Sequence, residues 1–150
     1  MGGFTQIKLK DTSEENIAKQ NEILKAYKVP KWYRFYNLKK EQEIEYEYFK
    51  KEEGVFPDHL FPKDKILSLE DFRKYWHPKA LGEVFVPYSG TLQFDCYFGR
   101  TSKRAMHNMG RYIADNIEQF AEFDGSFSTF MERGMTKVQR KIVEESGIKY

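Results

Sequence analysis

The chain has a single cysteine, Cys96, in 150 residues. An internal disulfide is therefore excluded, and so is a zinc site built from several thiolates. The three histidines, His59, His77 and His107, stand too far apart to form a paired-ligand motif. Neither a metal nor a cofactor is expected. No apolar run approaches the roughly 20 residues that cross a bilayer. Met1–Gln6 does not lead into the apolar core of a signal peptide, and Gln6 stands where a myristoylation motif needs Ser or Thr. The expectation is a cytoplasmic protein with no membrane partner. A strong excess of one charge is missing too. Lys and Arg total 25 against 23 acidic residues, a net charge of +2, so attraction to nucleic acid would require local clustering. There is no Walker A loop, no RNP1 pattern and no nucleophile elbow around Ser102.

Aromatic residues are plentiful: 13 Phe, 10 Tyr and 2 Trp. They supply large packing groups for a chain whose length fits one domain spanning 1–150. The organising stretch runs from Glu83 to Phe123. Glu83–Tyr88 reads as a strand, with Pro87 placing it at a sheet edge. Ser89-Gly90 reads as a tight turn, and Thr91–Phe98 follows as a second strand. In that second run Leu92, Phe94, Cys96 and Phe98 alternate with polar neighbours, the period of a strand with one buried face. Cys96 falls on the buried side, as a packing thiol. The period then changes. Met106, Met109, Ile113, Ile117 and Phe120 recur at three and four, which predicts one long helix capped by Thr101 or Ser102 and stopped by Asp124-Gly125.

Elsewhere the chain reads as follows. Phe4–Lys10 alternates and predicts a first strand. Asp11-Thr12-Ser13 offers caps, Thr12 with Glu15 as a capping box, for a helix to about Lys28, with Glu14 and Glu15 early and Lys25 and Lys28 late, as the helix dipole prefers. Lys31–Leu38 and Glu43–Phe49 predict two further strands, the first from its aromatic density and the second from strict acidic–apolar alternation. Phe56-Pro57 and Phe61-Pro62 predict an extended loop, and Ser68 opens a short helix. Phe127, Phe130 and Met131 begin another helix that Gly134 interrupts, and Thr136 caps the last one. The expected fold is α+β: a mainly antiparallel sheet of about five strands, helices chiefly on one face, and a helical C-terminus.

Two surfaces could bind a partner. The first is the basic, hydroxyl-rich turn into the long helix, comprising Arg100, Thr101, Ser102, Lys103 and Arg104, extended along the helix by His107 and Arg111. Unpaired amides and the positive end of the helix dipole suit an anion there. Helix capping and a solvated polar face are the ordinary roles of the same residues. The second is the aromatic and basic patch of Lys31, Trp32, Arg34 and Tyr36, which could combine stacking with charge. No residue is assigned a catalytic role. A non-catalytic binding protein is expected, with a protein or nucleic-acid partner, in the style of an accessory or inhibitory protein of a mobile element. A small phosphate-handling enzyme built on 99–104 with Asp95 and His107, or a structural assembly subunit, are the alternatives. The sequence leaves oligomeric state open.

Overall fold

The computed structural model describes residues 4–51, 56–76, 88–95 and 101–150. The chain forms two compact units, one made of 1–36 with 89–150 and the other of 37–88. Among the described residues there are six α-helices and one three-stranded antiparallel sheet.

The sheet belongs to the first unit. Its central strand is β1 (Phe4–Leu9), flanked by β2 (Thr91–Asp95) and β3 (Phe120–Gly125) in the order β2-β1-β3. Ile7 pairs with Leu92 on one side and Phe123 on the other, so all three apolar side chains share a face. Gln6, Gln93 and Asp124 pair on the opposite face, as do Lys8 and Glu122, whose ion pair closes at 2.5 Å. Both outer edges are partly occupied. Tyr36 exchanges backbone hydrogen bonds with Gly90 and Thr91 beside β2, and the Phe123 amide of β3 donates to the Lys149 carbonyl at 3.0 Å.

The apolar face is covered by α1 (Glu14–Ala26), α4 (Lys103–Asp115), α5 (Phe127–Gly134) and α6 (Lys137–Glu145). Ile17 and Leu24 of α1, Met106, Met109, Tyr112 and Ile113 of α4, Phe127 and Phe130 of α5 and Val143 of α6 meet in one core. Three of these helices begin where a hydroxyl satisfies a free amide. Ser13 accepts from Asn16 N, Ser102 from Ala105 N and Thr136 from Gln139 N, the last with the reciprocal bond of a capping box. Helices α4 and α5 approach closely at two glycines, because a Cβ on Gly110 would lie 2.4 Å from the Gly134 carbonyl oxygen.

The second unit holds α2 (Leu38–Lys51) and α3 (Leu69–Tyr75). Phe49, Phe56, Phe61 and Phe72 form its centre, with ring centroids 4.8 to 6.0 Å apart. Ser68 caps α3 as its sequence predicts, accepting from Asp71 N.

Four expectations need correction. Glu43–Phe49 is helix α2, not a strand: Gln42, Tyr46 and Phe49 turn inward at spacings of four and three, while Ile44 and Tyr48 are exposed. Residues 31–36 form no regular strand. Phe35 instead takes both its backbone bonds from the Asn21 side-chain amide, donating to Oδ1 and accepting from Nδ2. The long helix stops at Asp115, followed by a single 3₁₀ turn, and Phe120 opens β3. The sheet among the described residues therefore has three strands rather than about five. The expected strand over 83–87, the buried Cys96 and His77 lie outside the described residues.

Candidate functional site

Residues 28–36 and 101–114 contain no Asp or Glu, and the fold ties the two segments together. Thr101 is buried, and its hydroxyl donates to the Asp95 carbonyl at 2.5 Å. Having spent its one proton there, it accepts from the Tyr33 hydroxyl at 2.6 Å. Further along, Asn108 of α4 donates its side-chain amide to the Lys28 carbonyl at 3.2 Å and accepts from Arg111 at 2.8 Å. The 28–34 segment is thus bonded to α4 at residues 101 and 108. Lys28 itself adopts φ 64, a left-handed bend that redirects the chain after α1.

Exposed cations decorate both sides of this seam. Lys103, Arg104, His107 and Arg111 are exposed on α4, and Lys28, Lys31 and Arg34 on the facing segment. Trp32, next to Lys31 in the chain, has 67% of its surface open to solvent. The first turns of α1 and α3 carry acids, Glu14 and Glu15 or Glu70 and Asp71, whereas α4 opens with Lys103 and Arg104. Each such cation opposes the helix dipole by about 0.3–1 kcal/mol at most. The basic stripe ends at Asp115, which accepts from the Tyr27 hydroxyl at 2.7 Å; that bond, with burial, raises the Tyr27 pKa.

A hollow of about 180 Å³ opens beside the seam. Leu24, Val29, Pro30 and Tyr33 form its apolar walls, and Lys25, Lys31 and Arg34 line it as well. A larger hollow of about 550 Å³ lies along α5 and α6, where Lys137, Arg140 and Lys141 are offset by Glu132 and Glu144. In the smaller one Lys25 is ion-paired with Glu22 at 3.1 Å, and Lys31 is exposed.

Of the residues singled out in sequence, Lys103, Arg104, His107, Arg111, Lys31, Trp32 and Arg34 are exposed. Thr101 and Ser102 serve the fold, the one bonded to Asp95 and Tyr33, the other capping α4. Tyr36 is half-buried, and its backbone pairs with β2. Arg100 lies outside the described residues. Tyr33 is the residue that sequence reasoning missed. It joins the two patches, yet it is 68 positions from Thr101 and nothing local marks the pair.

Of the alternative acid–base constellation, Asp95, Ser102 and His107 are among the described residues and Arg100 is not. Neither hollow is lined by Asp95, Ser102 or His107. The Ser102 hydroxyl is occupied as a cap, and His107 is exposed on α4. Among the described residues no three His, Cys, Asp or Glu side chains come together as metal ligands, and no helix is long and apolar enough to cross a membrane. Comparison with known proteins finds no family model, curated protein or solved structure that matches this chain.

Proposed function

We propose that this is a non-catalytic binding protein whose basic seam, Lys28–Arg34 against Ser102–Arg111, engages a phosphate-rich partner. The observation that carries the reading is the hydrogen bond from Tyr33 to Thr101. It turns two separate short basic patches into one surface, so the net charge of +2 understates the local field. Fixed cations on a folded scaffold bind a polyanion chiefly through release of its condensed counterions. The cations here sit on a capped helix and a side-chain-bonded segment, which limits the ordering cost of binding.

The test is fluorescence anisotropy with labelled mixed-sequence DNA, RNA and polyphosphate across a salt series. Wild type should bind at low salt and weaken as salt rises. Lys31→Ala/Arg34→Ala and Lys103→Ala/Arg104→Ala/Arg111→Ala should each weaken binding to the same ligand and each shallow the salt slope. These are exposed positions, so the variants should melt like wild type. Absence of binding by wild type at low salt would remove a phosphate-rich partner. Binding weakened by only one of the two sets would break the seam into unrelated patches.

A further inference from the structure

We infer that the partner is a single-stranded nucleic acid, read by stacking of one base on Trp32 while a neighbouring group enters the adjacent hollow. The inference rests on the binding reading above and narrows it. A duplex or an inorganic polyanion needs only cations. An indole left 67% exposed between Lys31 and Tyr33 adds nothing to phosphate binding, but it is the platform that unpaired bases use. Trp32 is also held at an angle: its ring lies 6.1 Å from that of Tyr33, tilted by 57°. Tyr33 in turn is fixed by Thr101 at its hydroxyl and by the edge of Phe94 at its ring, 6.1 Å away. The ring beside the platform, that of Tyr33, is thus braced by the core.

The hollow supplies the second half of the argument. At about 180 Å³ it is smaller than the roughly 300–1,000 Å³ of sites for drug-sized ligands. It suits a single ring or phosphate rather than a peptide helix or a duplex groove. Its walls are apolar and aromatic, and Lys31 lines it together with Arg34 and with Lys25, which is ion-paired with Glu22 at 3.1 Å. That is the pairing a nucleotide offers in reverse, a flat ring joined to an anion. An acidic protein would match the cations but would have no use for the ring-sized hollow beside Trp32.

The probes are a fluorescein-labelled 20-nucleotide mixed-sequence single strand, the matching duplex and polyglutamate, each against wild type, Trp32→Ala and Trp32→Phe. The single strand should bind more tightly than the duplex. Trp32→Ala should lose about 5- to 150-fold in affinity for it, the equivalent of about 1–3 kcal/mol for one stacked base. Trp32→Phe should recover part of that loss, and duplex binding should be unchanged by either. Photocrosslinking with 4-thiouridine in a single strand should map to residues 21–34. Equal affinity for duplex and single strand with no effect of Trp32→Ala overturns base stacking and leaves the cationic seam standing. Preference for polyglutamate replaces the nucleic acid with an acidic protein. No binding to any probe at low salt overturns this inference and the binding reading together. Trp32 is exposed, so loss of fold does not confuse the result.

Discussion

Gly110→Ala tests the core at its tightest point. In an exposed helix that substitution stabilises by up to about 1 kcal/mol, because alanine has less backbone freedom to lose. Here the new Cβ would sit 2.4 Å from the Gly134 carbonyl oxygen and 3.1 Å from both the Gly134 carbonyl carbon and Met135 Cγ. Ordinary contact begins near 3.4 Å, so α4 and α5 must part by about 1 Å. The obstacle is backbone and cannot rotate away. Separation would loosen Met106, Met109 and Phe130, all 2% exposed or less. Overpacking of this kind costs about 1–3 kcal/mol, which against a propensity gain of up to about 1 kcal/mol leaves a net loss of up to about 2 kcal/mol. Urea unfolding followed by far-UV circular dichroism measures it. With a slope of about 1–3 kcal/mol per molar, the midpoint should drop by up to roughly 1 M with the slope unchanged. A midpoint above wild type would mean that the α4–α5 contact is not as drawn.

Replacing 38–88 by a short Gly/Ser linker should leave the first unit folded with β1 amides protected from exchange, since Tyr36 already bonds to Gly90 and Thr91; collapse of that protection would show that the 150 residues fold as one domain, as length alone suggests. Tyr112, fully buried and donating to Gln20 Oε1 at 2.7 Å, has its pKa pushed well above the usual phenol value by burial and by Tyr27. Its neutral form is favoured in the folded state, so stability should hold below about pH 10 and fall above it, by up to ~1.4 kcal/mol per pH unit. Tyr112→Phe should cost about 1–2 kcal/mol at neutral pH and flatten the alkaline fall, as denaturant melts at several pH values would report. Thr5 Oγ1 is fully buried and without a hydrogen-bond partner, so Thr5→Val should raise stability by about 1 kcal/mol; a lower melting temperature would mean the hydroxyl has a role.

Much of the fold is legible from end signals. Ser68 and Thr136 mark helix starts in the sequence and form their cap bonds, while the first helix is capped by Ser13 rather than by a Thr12–Glu15 box, and of Thr101 and Ser102 it is Ser102 that caps α4. β1 and β2 show the period of two because one face of each is buried. Two patterns mislead for definite reasons. In Glu43–Phe49 the alternation is real but irrelevant, since Ile44 and Tyr48 face solvent. The informative inward residue is Gln42, which no apolar template counts, and Glu and Lys favour helix locally. In 117–123 the spacing of three from Ile117 to Phe120 imitates a helix, and Phe120 and Phe123 repeat it within β3. A bulge produces that repeat: Phe120 opposes Leu9 and Glu122 opposes Lys8, leaving Ala121 as the extra residue. Both rings thereby reach the same face of a strand. The binding surface is less legible than either, because its two halves meet through Tyr33 and Asn108, and such long-range bonds leave no local trace.

The position of β1 has a consequence in time. It is made early, yet Ile7 pairs with Leu92 and Phe123, 85 and 116 residues further on. At synthesis rates of about 5–20 residues per second, the nascent strand waits roughly 6 to 25 seconds for its second neighbour. Until β2 is made both of its edges are open to any other strand within reach, and one stays open until β3 follows. The second unit, 37–88, is finished long before the sheet can close. Substitutions in 120–125 that slow pairing should therefore reduce the yield of folded protein in cells by more than they reduce the stability of the molecules that succeed.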